Sequence, residues 1–190
     1  MRQFVALILT LITAAGCHRS PEPLFYVLQP LPTIRPLPLN PIHSFIEIEE
    51  VSLPAYVNRL SLVIQYAPNQ VFVDDHHLWA EGLNKNITRV IQTNLSFLMP
   101  NAVIQRSPWL PLPLKPNYRL HLTIVRFTLD NLGSADLLAE YIIYHEGALI
   151  KKRQAAYHQQ ALPLSYETQV AAMNKNLTQL SYDIARNFSH

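Results

Sequence analysis

The sequence predicts an α/β (α+β) domain, an antiparallel or mixed twisted sheet with two amphipathic helices packed on one face. Three observations predict it. Short β-prone runs alternate between Phe45 and Val73. Three longer β-prone runs follow one another from Tyr118 to Leu162, separated by turn residues. Two segments instead repeat apolar residues at spacings of three and four, the period of a helix that buries one face. Strands, helix, strands, helix, each helix with one apolar stripe, is satisfied when both helices cover the same side of one sheet.

The chain opens with Arg2, an apolar run from Phe4 to Ile12, and Ala14-Ala15-Gly16 before Cys17. That order is a secretory signal whose cleavage site precedes Cys17, small side chains being needed to enter the peptidase cleft. The apolar run is too short for the ~20 residues of a membrane span. A cysteine directly after the cut marks a bacterial lipoprotein. The segment resembles a lipobox, with Ala14 where Leu is usual. The expected modification is a diacylglyceryl group on the Cys17 sulfur and an N-acyl group on its freed amine. The expected division is 1–16 signal, 17–44 lipidated N-terminus, first strand and proline-rich linker, and 45–190 a single domain.

Leu24-Phe25-Tyr26-Val27-Leu28 is a strand candidate. Pro30, Pro32, Pro36, Pro38 and Pro41 then exclude a paired strand, since proline has no N–H for the ladder. Either residues 18–44 form one tether, or 24–28 dock as a strand and only 18–23 stay free. The second reading is preferred, because an undocked Phe-Tyr-Val-Leu run is a sticky edge. Phe45 to Glu49, Leu60 to Tyr66 and Gln70 to Val73 read as strands, the last two joined at Ala67-Pro68-Asn69. Leu78 to Leu98 reads as the first helix, with Asp74 or Asp75 near its start and Pro100 beyond its end. Residues 107–116 form a second proline-rich loop. Tyr118 to Asp130, Leu137 to Glu146 and Ala148 to Leu162 form an antiparallel meander. The apolar parity of the first of these slips at Ile124-Val125, which predicts a β-bulge. Tyr166 to Phe188 closes the chain as a helix, striped by Val170, Met173, Leu177, Leu180 and Ile184.

Composition excludes several functions. The chain has 15 Lys and Arg, and losing Arg2 with the signal leaves 14 against 13 Asp and Glu. That near-neutral balance offers no field for nucleic acid. The single cysteine allows no disulfide within the chain. Asp74-Asp75-His76-His77 with Glu81 has metal-ligand types, but adjacent extended residues point to opposite sides, so no metal is assigned. The chain has no G-x-S-x-G, and its four glycines form no phosphate-binding loop. No catalytic residues are assigned.

Two segments go beyond general patterning: Val51-Ser52-Leu53-Pro54-Ala55-Tyr56-Val57-Asn58-Arg59, and Leu78-Trp79-Ala80-Glu81-Gly82-Leu83 followed by Ile87-Thr88-Arg89-Val90. With Phe25-Tyr26-Val27-Leu28 close behind Cys17, they resemble the auxiliary lipoproteins of ABC-type transporters, the PqiC (YmbA) family. Gly82 departs from it, proline being frequent there. The resemblance covers nearly all of the chain after Cys17. It implies an α/β domain without catalytic activity, held to the membrane by its lipid. It also implies a partner, an MCE-type periplasmic protein of a transporter that moves lipid between inner and outer membranes and so maintains membrane integrity. His18 in place of Asp implies the outer membrane. Whether the chain forms a homo-oligomer is left open.

Partner contacts are sought on two rigid apolar stretches. Leu53, Pro54 and Tyr56 bend the chain and serve either as a docking corner or as a kink. Trp109 and Leu112 lie in a proline-held loop that either covers the core or offers an apolar patch. Arg59 and Glu81 are either partner contacts or an internal ion pair, the pair being preferred. Trp79 and Leu83 read as structural, Trp79 as a core anchor in the first helical turn. The rival to a transport subunit is a lipid carrier with an apolar cavity between sheet and helices.

Overall fold

A computed structural model describes residues 21–30, 35–37, 44–108 and 115–188. Eight strands form one sheet. The long strand β6 (Tyr118–Asp130) is its axis. On one edge β6 pairs antiparallel with β7 (Ser134–His145), which pairs with β8 (Ala148–Gln160). Its other edge is shared end to end. β2 (Phe45–Ile48) lies parallel to the first residues of β6, and β3 (Ser61–Ala67) lies parallel to the last. β5 (Val103–Arg106) flanks β2. β4 (Gln70–Trp79) flanks β3 and carries β1 (Leu24–Tyr26) on its outer side. The predicted mixed sheet is thus a forked one.

The predicted bulge lies in the pairing of β6 with β7. Val125 is the extra residue between Ile124 and Arg126 in the pairing with β7. Before it, Leu120, Leu122 and Ile124 are buried; after it, Phe127 and Leu129 are. One added residue keeps apolar side chains on the same face while the strand twists. The β7–β8 turn has positive φ at Glu146 and Gly147, as a tight two-residue hairpin requires. At the other end of β7, Gly133 also has positive φ, and a Cβ there would sit 2.8 Å from the Ala161 carbonyl oxygen.

Both helices cover one face. α1 (Leu83–Leu98) lies beside β5, and α2 (Tyr166–Asn187) lies on β7 and β8 and against α1. Ile87, Val90, Ile91, Leu95 and Leu98 of α1, and Leu177, Leu180 and Ile184 of α2, have no exposed surface. They meet Leu120, Leu122, Tyr141 and Ile143 from the sheet in one core. Asn94 of α1 donates to Ser181 of α2 across the buried seam at 3.1 Å, which fixes the register of the pair. Ser165 caps α2 with a reciprocal bond to Thr168.

The helix start is where sequence and structure differ most. Asp74 and Asp75 do not begin a helix; the strand continues to Trp79, and α1 starts at Leu83 after Gly82. Strand continues because β1 adds to its free edge, pairing Leu24, Phe25 and Tyr26 with His77, Leu78 and Trp79. Residues 24–26 are therefore docked, as preferred above. β5, unassigned from the sequence, pairs parallel with β2.

Candidate interaction surface

The two family-like segments meet at the start of α1. The Val51 N–H donates to Thr88 Oγ1 at 3.1 Å, and Asn84 donates to Glu50 at 2.7 Å. Val51 is buried. The same helix holds the N-terminal strand. Asn86 accepts from the Leu28 N–H at 2.7 Å and returns a bond to the Leu28 carbonyl at 3.0 Å. The Ala80 N–H donates to the Tyr26 carbonyl, and the Gln29 N–H reaches Asn174 of α2. A chain leaving toward Cys17 is therefore anchored to both helices.

Glu81 belongs to this clamp. It accepts from Arg89 at 2.6 Å, and Arg89 also reaches the Leu28 carbonyl at 3.4 Å. The expected Arg59–Glu81 pair is thus replaced by Glu81–Arg89, because Glu81 follows the strand and sits two turns of α1 from Arg89. Trp79 is buried at the end of β4 rather than in a helical turn, and its N–H donates to the Leu60 carbonyl at 2.6 Å. Leu83 is buried as the first residue of α1. Asn86 was not singled out from the sequence; asparagine inside an apolar helical stripe is the signal that points to it. Asn86→Leu should destabilise the domain by about 2–3 kcal/mol, because two buried backbone groups of Leu28 lose their partner. A melting curve unchanged from wild type contradicts that role.

The Leu53–Arg59 stretch forms a compact corner. Ser52 bridges to Thr123 of β6, and the chain then leaves the sheet between β2 and β3. The Val57 and Asn58 N–H groups both donate to the Pro54 carbonyl, and Val57 is buried beneath. Val57 fixes the corner from inside, leaving Tyr56, Arg59 and Leu60 exposed. Leu53 packs at the edge of the core. Trp109 and Leu112 lie outside the described residues, as does Cys17.

A second cluster forms where β4 bulges. Ser61 pairs with Leu78 but Leu62 with Asp74, so Asp75, His76 and His77 are extra residues on β4. The bulge turns Asp74 inward. Its buried carboxylate accepts from the Tyr166 hydroxyl, from the His76 N–H at 2.9 Å and from His77 at 2.9 Å. The His77 and Tyr166 rings stack with centroids 3.6 Å apart. Burial pushes the carboxyl pKa up, but these bonds outweigh it and hold it below the ordinary range. Burial and the Asp74 bond raise that of Tyr166. Asp75 contacts Ser61 and Glu81 pairs with Arg89, so the metal-ligand types of this stretch are divided among separate partners.

A carboxyl with a folded pKa below its unfolded value of 3.8 contributes stability above that pH. The contribution disappears as pH falls through the folded pKa. Asp74→Asn should therefore cost about 2 kcal/mol at pH 7 and flatten the loss of stability on acidification below about pH 4. Parallel acid profiles for the two proteins contradict this assignment.

On the open face of the sheet, Glu49, Arg119, His121 and Tyr144 line a cleft of about 420 Å³. His121 contacts Glu49 at 2.8 Å, and Arg119 reaches Glu47 at 3.3 Å. Thr123 Oγ1 stands 3.4 Å from His121 Nε2, and the row faces solvent. Its geometry is a cross-strand ladder tying β2 to β6.

Comparison with known proteins agrees with this architecture. Residues 26–185 match the family described as ABC-type transport auxiliary lipoprotein component. The chain is 25% identical over 105 residues to the intermembrane transport lipoprotein PqiC of Escherichia coli strain K12, covering 55% of this chain and 54% of that protein. The alignment thus spans about half the length of that curated relative. A solved protein of uncharacterized function superposes with a TM-score of 0.75 at 23% identity, over 89% of this chain and all of the other. A Xanthomonas campestris protein superposes with a TM-score of 0.72 at 14% identity, covering 85% of this chain and 92% of the other. The last two likenesses show the fold.

Proposed function

The chain belongs to the family of ABC-type transport auxiliary lipoprotein components, and from that premise we propose that it is a non-catalytic subunit of an envelope lipid-transport complex. In this reading residues 1–16 are removed and Cys17 carries diacylglyceryl and N-acyl chains. The mature protein faces the periplasm from the outer membrane, where His18 directs it. It works beside an MCE-type periplasmic protein, supporting lipid traffic between the membranes and the integrity of the outer one.

The observation that carries the subunit reading is the filled interior. A carrier needs an apolar cavity of ~300 Å³ or more. The space between sheet and helices is instead occupied by Ile91, Leu95, Leu98, Leu177 and Leu180, all fully buried. Of the clefts on the surface, the one near α1 is lined by polar groups such as Lys85, Gln92 and Arg106, and the apolar one of about 290 Å³ beside Tyr66, Phe72 and Leu164 is an open groove and not an enclosed cavity. Function then rests on surface contact, and the corner is the best-built contact. Val57 holds it from below while Tyr56 and Arg59 stay free to meet a partner. An aromatic and an arginine on a rigid turn suit a contact that loses little entropy on binding.

The test is a double variant, Tyr56→Ala with Arg59→Ala, purified with its complex from membranes. Complex yield should fall at least tenfold while the melting temperature stays within a degree or two, since exposed side chains contribute little to folding. Trp109→Ala with Leu112→Ser is the parallel test for the second proline-rich loop. Full complex yield from both variants would place the contact elsewhere. Intact yield with loss of co-purifying lipid would favour the carrier.

A further inference from the structure

We propose that the turn end of the sheet docks on the lipid bilayer that holds the Cys17 anchor. The inference rests on the lipid-anchor reading and adds the surface by which the folded body meets the membrane. Three connections come together at this end. The β3–β4 turn follows Ala67, and the β6–β7 turn follows Asp130. They are level because Gln65 pairs with Asp130. The β8–α2 connection leaves from Gln160, the partner of Ser134 at the start of β7.

These connections carry apolar side chains that the core does not use. Tyr66, Phe72, Leu132, Leu162 and Leu164 are between 53% and 76% exposed. All five are more than half exposed, on turn or edge positions where polar residues would cost nothing, and an exposed apolar rim of this kind marks a contact site. Tyr66, Phe72 and Leu164 also border an open apolar groove of about 290 Å³. No lysine or arginine occurs in 66–72, 131–134 or 161–166. The attraction is therefore to the apolar part of the interface, not to anionic headgroups.

The bilayer is chosen as occupant by where the anchor is. β1 runs parallel to β4, so it starts on the side facing the β3–β4 turn. Leu24 is level with His77, seven residues along β4 from Gln70. Leu24 also lies seven positions beyond Cys17, a reach of roughly 23 Å. An anchor on that leash brings the bilayer to the turn end, past the exposed Phe25. The opposite end, with the β7–β8 turn and Leu149, lies the length of β6 away, roughly 40 Å over 13 residues.

The experiment uses the lipidated full chain. Cys17 is the only cysteine, and acylation occupies its thiol, so Leu132→Cys supplies one site for an environment-sensitive fluorophore. Leu162→Cys is a second rim site, and Leu149→Cys, at the far turn, is the control. Each labelled protein is reconstituted into phosphatidylcholine vesicles with and without a spin-labelled phosphatidylcholine quencher. Both rim labels should shift to shorter wavelength and lose most of their emission to the quencher, at low and high salt alike. The Leu149→Cys label should do neither. Equal quenching at all three sites, or quenching at the far turn alone, overturns the proposal. A rim shift that grows with protein concentration and ignores the quencher also overturns it, assigning the rim to a second copy. Vesicle flotation and labelling stoichiometry report on the anchor separately. Protein that floats with one dye per chain but shows unquenched rim labels refutes docking and leaves the anchor standing. Two dyes per chain without flotation refute the anchor, and the docking inference with it.

Discussion

Replacing Cys17 with Ala is expected to abolish membrane retention of the mature protein. Each CH₂ of a buried acyl chain contributes ~0.8 kcal/mol, and one chain holds a protein only marginally. Three chains on one cysteine make release negligible, so the anchor is effectively all or none. Without the thiol there is no diacylglyceryl acceptor, and the chain remains uncleaved or is left without its lipid. The intact mass of the wild-type protein should show three acyl chains on a chain starting at Cys17. Wild-type protein recovered in the soluble periplasmic fraction contradicts the anchor. His18→Asp should shift the protein from the outer to the inner membrane fraction, and unchanged fractionation contradicts the outer-membrane location.

The second large effect lies in the core. Leu95→Ala and Leu177→Ala should each destabilise the domain by about 2–5 kcal/mol. Both side chains are fully buried, one on each helix, in the layer between helices and sheet. Removing three carbons from either loses transfer free energy and leaves a cavity that the neighbouring helix cannot fill. Since small domains have ~5–15 kcal/mol in total, the double variant should lose most of its margin, about 4–10 kcal/mol if the two effects add. Chemical denaturation with a common slope measures both. Wild-type midpoints would contradict the packing of both helices on this face.

The helices and the meander were legible because a single periodicity runs through each. Leu177, Leu180 and Ile184 read the same in sequence and structure, and the parity slip at Ile124-Val125 is a real bulge. The fork of the sheet was not legible. Nothing local in Phe45–Ile48 or Ser61–Ala67 says that both lie along one edge of β6. The stretch Asp74–Trp79 misled for a physical reason. Two aspartates before apolar residues are a good helix start in isolation, and here the added β1 strand and the Tyr166 bond make extended chain more favourable.

The candidate site shows the same division. Glu81 carries a visible motif, but its partner was settled by the turn after Trp79, which points it to Arg89 and not to Arg59. Asn86 is visible only once Leu28 is placed against α1, and Thr88, although inside a visible motif, has its role set by the placement of Val51. The Leu28–Asn86 bonds tie the N-terminal strand to the body, and the Val51–Thr88 bond ties the chain entering the Tyr56 corner to the same helix.

The most direct measurement is purification of the native lipidated protein from gently solubilised envelopes, with identification and quantitation of what accompanies it. A transport subunit predicts an MCE-type periplasmic protein in fixed ratio to this chain, lost in the Tyr56→Ala, Arg59→Ala variant. Recovery of the chain without any transport protein, or with only bound lipid, would contradict the subunit function.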